Sequence, residues 1–323
     1  MAPPRRKFAA LLALSVALLI PGVSTPAQAA VTGNPLEMSN GFYVDPNSNS
    51  ANWVRNNAGH PDLNQIRDRI ATKAGARWFG GWSGDIGPAV AAYAKAADDT
   101  EKLPILVAYN IPGRDCGGHS GGGAGSPEAY KAWISAFSNA IGGRPAVVII
   151  EPDALAQLDC MSAANQATRI ELLKFAVREF QAKNPNTWTY MDGGNYSWIA
   201  ANEMARRLKL VEVNRIRGFA LNVSNYYTTA QSVSKGNAIK AALGGGAGSN
   251  FVIDTSRNGK GSNGEWCNPA GRQLGVNSQA GGGADMLIWI KVPGDSDGKC
   301  GIAPNTEAGQ FSPVIAKRLI EGW

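Results

Sequence analysis

Short apolar runs recur along the chain, each about the length of one strand. They are Phe42-Tyr43-Val44, Ala76 to Phe79, Ile105 to Ala108, Val147 to Ile150, Trp188 to Met191, Phe219-Ala220-Leu221, Phe251-Val252-Ile253 and Met286 to Ile290. Val147 to Ile150 is so uniformly apolar that it reads as buried on both faces. Segments of helical pattern lie between most of these runs. Pro61 to Ala74 opens on proline and spaces Leu63, Ile66 and Ile70 along one face. Ser126-Pro127-Glu128 predicts an N-cap followed by proline in the first turn. Ala163 to Lys183 carries Ile170, Leu173 and Phe180 on one stripe. Seven or eight such units in one domain predict an α/β fold, a parallel β/α barrel of the TIM type, complete or distorted. An open doubly wound sheet is the alternative.

The residues that end the runs change the picture. Val44 is followed by Asp45, Ala108 by Tyr109-Asn110, Ile150 by Glu151-Pro152-Asp153 and Met191 by Asp192. Leu221 is followed by Asn222, Ile253 by Asp254 and Ile290 by Lys291. In a parallel barrel all these ends open on one face, where active sites lie. Any single acid here could be a helix N-cap. A ring of Asp, Asn, Tyr and Lys at one mouth suits a neutral ligand rich in hydroxyl groups.

The first thirty residues follow another rule. Arg5, Arg6 and Lys7 precede thirteen uncharged, mostly apolar residues, Phe8 to Ile20, and Ala27-Gln28-Ala29 supplies an A-x-A cleavage pattern. Residues 1–29 are therefore expected to be a secretory signal peptide, too short for the ~20 residues of a spanning helix. Arg5-Arg6-Lys7-Phe8 hints at twin-arginine export without choosing the route. Residues 30–323 are expected to form a single catalytic domain with no linker or carbohydrate-binding module. Loss of the three leader cations takes the net charge from +6 to +3. No Lys/Arg block remains to suggest nucleic acid or a membrane as partner.

Four cysteines, Cys116, Cys160, Cys267 and Cys300, in an exported chain favour two disulfides. Three pairings are open. Cys116–Cys160 with Cys267–Cys300 is favoured, because each pair then brackets one acidic loop. With two histidines in the chain, no metal site and no cofactor are expected. Gly118-His119-Ser120-Gly121-Gly122 fits the nucleophile elbow of an esterase, but no histidine follows His119. Asp295-Ser296-Asp297-Gly298 begins like a calcium loop, yet the twelfth position is Thr306. The Gly244 run and Gly259-Lys260 fail as nucleotide-binding patterns.

What remains is a set of aspartates after strands: Asp115, Asp153 and Asp297. Without a histidine system or a metal, they point to acid–base hydrolysis of a glycosidic bond. Trp78, Trp198 and Trp266 lie near strand or loop ends and could stack on sugar rings. Trp53, Trp133 and Trp289 read as packing residues.

The blocks "YNIPGRDC", "IIEPDALA", "FVIDTSRNG" with "EWCNPAGRQLG", and "WIKVPGDSDG" resemble glycoside hydrolase family 6, the cellulases, over the chain from Tyr43 onward. The resemblance implies a distorted β/α barrel and inverting hydrolysis of β-1,4-glucosidic bonds in cellulose or a related glucan. It implies Asp153 as general acid and Asp115 as the neighbour that raises its pKa. Asp297 matches the candidate base, a water chain towards Asp115 being the other route for the proton. Tyr109 matches a tyrosine beneath the distorted sugar. Arg114, Asp192, Lys291 and Asp295 match polar cleft residues, and the three tryptophans match stacking residues. The favoured disulfides are the family's pair. The chain departs from the family at Asn195, where a histidine is usual, and at Asp295, where glutamate is usual. Gly121 replaces a frequent serine, for which Ser120 is the substitute. Only Gly298 and Lys299 separate Asp297 from Cys300, so an open cleft and a monomeric endoglucanase are expected. An exo-acting relative and a non-catalytic glucan-binding protein are the alternatives.

Overall fold

The computed structural model describes residues 33–323; the expected leader, 1–29, lies outside the described residues. The strands are β1 Arg77–Phe79, β2 Ile105–Ala108, β3 Ala146–Ile150, β4 Thr187–Asp192, β5 Gly218–Leu221, β6 Asn250–Asp254, β7 Gln279–Ala280 and β8 Met286–Ile288. The helices are α1 Asn49–Asn56, α2 Leu63–Ile66, α3 Ile86–Asp98, α4 Pro127–Ile141, α5 Ala163–Lys183, α6 Ala201–Leu210, α7 Thr229–Leu243 and α8 Pro313–Glu321. The sheet order is β1-β2-β3-β4-β5-β6-β8-β7. Every ladder is parallel except the short β7–β8 pairing.

The barrel is distorted at the seam between β1 and β8, where no ladder forms among the described residues. The seam is held instead by the Ala76 N–H donating to the Trp289 carbonyl (2.8 Å) and the Trp78 indole donating to the Ile290 carbonyl (2.7 Å). Side chains alternate across the sheet. Ile105, Val107, Val147, Ile149, Tyr190, Val252 and Ile288 fill the barrel interior. Leu106, Val148, Ile150, Met191, Phe219 and Ile253 pack outward against the helices. Burial on both faces explains why the strands read as unbroken apolar runs.

Three differences from the sequence pattern have local causes. Phe42-Tyr43-Val44 makes only an isolated bridge to Leu103, and Pro46 soon after has no N–H to extend it. The run ending at Ile290 stops pairing at Ile288, because the Ile290 and Lys291 N–H groups turn to the Asp254 carboxylate. The helix expected over Pro61 to Ala74 forms α2 and then widens into one π-type turn, Arg67–Ala71. The N-cap expected at Ser126 is present, its hydroxyl accepting from the Ala129 N–H. Both disulfides follow the favoured pairing, Cys116–Cys160 and Cys267–Cys300.

Ile149 is fully buried in the barrel interior. Ile149→Ala should cost about 2–5 kcal/mol of unfolding free energy in urea titrations, the range for a truncation that leaves a cavity in a closed core. A loss below about 1 kcal/mol would contradict a packed interior.

Candidate active site

The site begins where β3 ends. Glu151 (φ 47°) and Asp153 (φ 68°) both occupy the left-handed region, which costs a non-glycine residue about 1–3 kcal/mol each. Neighbouring strands hold them there. The Glu151 N–H donates to the Ala108 carbonyl (2.8 Å). Its wholly buried carboxylate accepts from the Asn110 N–H at 3.0 Å on each oxygen and from the Ile111 N–H at 3.0 Å. Glu151 thus fixes the turn that follows Tyr109. Burial pushes it up to about 7 against those main-chain donors. The Asp153 N–H donates to Asp192 Oδ2 (2.9 Å), which also accepts from Gly194 (3.1 Å).

Asp153 shows part of its surface to the cleft, yet burial is the largest influence on its proton. Its pKa is raised well above the ordinary aspartate value, first by burial and then by Asp192, Asp115 and Asp297, with Lys291 opposing. Asp192 thus joins Asp115, the neighbour expected from the sequence, in raising Asp153. Asp192 does not line the cleft. It is 1% exposed, and burial raises it to about 7. Asp115 (φ 55°) accepts from the Ser120 N–H (2.8 Å) and from Gln157 (3.3 Å), and Cys116 beside it is tied to Cys160.

Asp297 has the opposite surroundings. Burial alone would raise its pKa, but Arg257 and Lys291 outweigh burial and hold it at about 2. Oδ2 accepts from Arg257 (2.7 Å), Tyr226 (3.3 Å) and the Asn268 N–H (3.1 Å), and Oδ1 pairs with Lys291 Nζ (3.0 Å). Asp295 accepts from Asn49 (2.9 Å), its other oxygen is buried without a partner, and burial raises it to about 7.

These groups share a cleft of about 1140 Å³. Its lining includes Asp115, Asp153, Asp295 and Asp297 together with Trp78, Tyr109, Arg114, Ser120, Asn195, Trp198, Trp266 and Lys291. Trp198 and Trp266 are exposed, and Trp266 meets the His119 ring at 5.9 Å between centroids. The Trp78 indole N–H is already bound to Ile290, so that ring offers a face but no donor; it meets Tyr109 edge-on at 5.2 Å. Asn195 accepts from the Ser197 N–H (3.2 Å). Ser120 meets Asp115 through its main chain, and its carbonyl accepts from Arg114 (2.8 Å). His119 lies beside Cys267 and Cys300, but those sulfurs are bonded to each other and are not free to ligate a metal. His119 also packs on Gly298, where an added Cβ would lie 2.6 Å from the ring. The two disulfide-bracketed loops therefore meet.

The profile of glycosyl hydrolases family 6 matches residues 38–322. The chain belongs to that family. It is 51% identical to Endoglucanase 1 of Streptomyces halstedii over 99% of this chain and 98% of that protein. It is 44% identical to Endoglucanase A of Cellulomonas fimi over 87% of this chain and 61% of that longer protein. The endoglucanase Cel6 of Mycobacterium tuberculosis, solved with methyl-cellobiosyl-4-deoxy-4-thio-β-D-cellobioside, superposes with a TM-score of 0.82 at 39% identity, over 90% of this chain and 99% of that one.

Sequence reasoning did not single out four residues of this glycosyl hydrolase's cleft region. Arg257, the direct partner of Asp297, lay inside the quoted "FVIDTSRNG" block. Trp82 is exposed and lines the cleft, stacked on Arg114 at 5.2 Å. Glu151 and Asp254 were visible as acids at strand ends. The strand-end acids do not cap the helices that follow; Ser126, Ser162 and Thr228 cap α4, α5 and α7.

The raised carboxyls predict how stability depends on pH. Glu151, Asp192 and Asp295 titrate at about 7 in the fold and near 4 when unfolded. The stability this gives is full below about pH 4 and is lost as pH rises through 7. Asp297 contributes the reverse: stability present above about pH 4 and lost as pH falls towards 2. Between pH 5 and 8 the raised groups dominate, so Tm should be higher at pH 5. A Tm equal or higher at pH 8 would contradict these assignments.

Proposed function

We propose that the protein is a secreted endo-β-1,4-glucanase that cleaves cellulose or a related glucan with inversion, Asp153 being the general acid. The observation that carries this reading is the opposite treatment of two carboxyls in one cleft. Asp153 is raised, so it keeps a proton, while Asp297 is held ionised at about 2. Inverting hydrolysis needs such a division of roles. The substrate class is supported by the names of the relatives and by the thio-oligosaccharide in the Mycobacterium tuberculosis structure. The leader pattern of residues 1–29 and the two disulfides support export.

In the proposed reaction a glucosyl unit rests over Tyr109, and Asp153 donates its proton to the glycosidic oxygen. A water attacks the anomeric carbon from the opposite face. Asp297 stabilises the positive charge that develops on the sugar. Its low proton affinity and its four bonded donors make it a poor acceptor, which favours a water chain leading to Asp115 as the exit for the water's proton. Departure of the leaving sugar leaves Asp153 ionised, and solvent reprotonates it. Trp198 and Trp266 offer stacking faces, while Arg114, Asn195, Lys291 and Asp295 offer polar contacts.

The short connection from Asp297 to Cys300 and the names of the relatives support endo action. One observation favours the exo alternative: the contact of His119 with Gly298, which brings the Asp115 and Asp297 loops together. It is a single exposed side chain on a glycine-rich loop, so long substrates can displace it. Carboxymethylcellulose should therefore lose viscosity early relative to reducing ends released. Slow viscosity loss at equal release would favour chain-end attack.

Asp153→Ala should lower kcat on cello-oligosaccharides by about 10²-fold or more while still binding them. Near-normal turnover by that variant would refute Asp153 as the acid.

A further inference from the structure

Asp254 ends β6 and is fully buried, yet no cation is bonded to it among the described residues. Four main-chain N–H groups converge on it instead. Oδ1 accepts from Ser256 (2.9 Å) and Ile290 (3.2 Å), and Oδ2 accepts from Ser224 (3.0 Å) and Lys291 (2.9 Å). These donors come from the loops after three strands, β5, β6 and β8. Burial raises its pKa, but all four contacts are donors, so a protonated Asp254 would point its own O–H at a donor; the geometry calls for the carboxylate.

The same main chain carries the partners of Asp297. Lys291, held by its N–H, places Nζ 3.0 Å from Asp297 Oδ1. Ser224, held by its N–H, turns its carbonyl to accept from Arg257, whose other nitrogen reaches Asp297 Oδ2 at 2.7 Å. Ser256 directly precedes Arg257.

We propose that Asp254 is a positioning residue for the glycosidase reaction: by gathering the ends of three loops it fixes Arg257 and Lys291, the two cations that embrace Asp297. The proposal rests on the reading of Asp297 as an ionised group that the reaction needs. Asp254 makes no contact with Asp297 and acts only through these two side chains. The groups that face Asp297 are Arg257, Lys291 and Tyr226, with the raised carboxyls of Asp153 and Asp295 as further neighbours. Arg257 and Asp192 in turn feel the charge of Asp254.

Asp254→Asn keeps the shape but turns an amide NH₂ towards two N–H donors, so the loops part and the cations loosen. Asp297 then binds its proton more tightly. The carboxyl carbon of Asp297 in ¹³C-labelled protein should titrate about one pH unit higher than in the parent, a tenfold change in proton affinity, with KM for a cello-oligosaccharide little changed. Asn184→Ala is the control. Asn184 is also buried and bonded to Ser138 and Gly142, between α4 and α5, so its loss should lower Tm and leave the Asp297 titration in place. An Asp254→Asn enzyme in which Asp297 titrates as in the parent, whatever its Tm, overturns the proposal. If Asp254→Asn does not fold, the intact enzyme decides. The Asp254 carboxyl carbon of ¹³C-labelled protein should not titrate across the range in which kcat is steady, and titration there with kcat unaffected overturns the proposal. Loss of turnover in Asp297→Asn beside an unchanged Asp297 titration in Asp254→Asn sinks only the positioning role. Retained turnover in Asp297→Asn sinks the underlying reading instead.

Discussion

Where a parallel strand stops at the mouth of a barrel, the N–H groups of the next few residues have no strand left to pair with. Buried without partners they would each cost about 1–3 kcal/mol. This chain meets that constraint with carboxylates at strand ends. Glu151 takes the donors after β2, Asp192 takes those of Asp153 and Gly194, and Asp254 takes four from three loops. Each acid lies in protein rather than water, which makes its charge costly. Burial raises all three, Glu151 and Asp192 to about 7. The same buried, negatively charged surroundings bear on Asp153, which hangs from Asp192 by its own N–H.

The two sides of the cleft follow from that arrangement. On the β3–β4 side, acids crowd together with Lys291 as the opposing charge, and Asp153 keeps its proton. On the β6–β8 side, Arg257 and Lys291 close on Asp297 and hold it ionised at about 2. In the proposed reaction the fold thus sets a proton donor and a lasting negative charge in one cleft. The left-handed backbone at Asp115, Glu151 and Asp153 marks where the chain is held against its local preference to achieve this.

Much of this was legible in the residues alone. Continuous apolar runs gave the parallel strands, because both faces of each are covered, and the polar residue after each run marked the mouth. The quoted blocks led to the family, and the spacing around the acidic loops led to the disulfides. The rest depends on contacts between distant segments. Arg257 meets Asp297 across 40 residues, and nothing at either position announces the pairing. Asp192 joins Asp115 as a neighbour of Asp153 because a main-chain bond draws it close, which spacing along the chain does not reveal. β8 ends early because Asp254 captures its last donors. Glu151 stands out only as an acid at a strand end, because its task is to hold another strand's loop.

The central claim is that Asp153 donates a proton while water attacks from the opposite face. The most direct measurement is the anomeric configuration of the first products released from a soluble cello-oligosaccharide, followed by proton NMR before mutarotation. The account predicts that the new reducing end appears first as the α-anomer and that the β-anomer grows in only by mutarotation. A β-anomer formed first would show retention, and with it a mechanism that this arrangement of carboxyls was not built to perform.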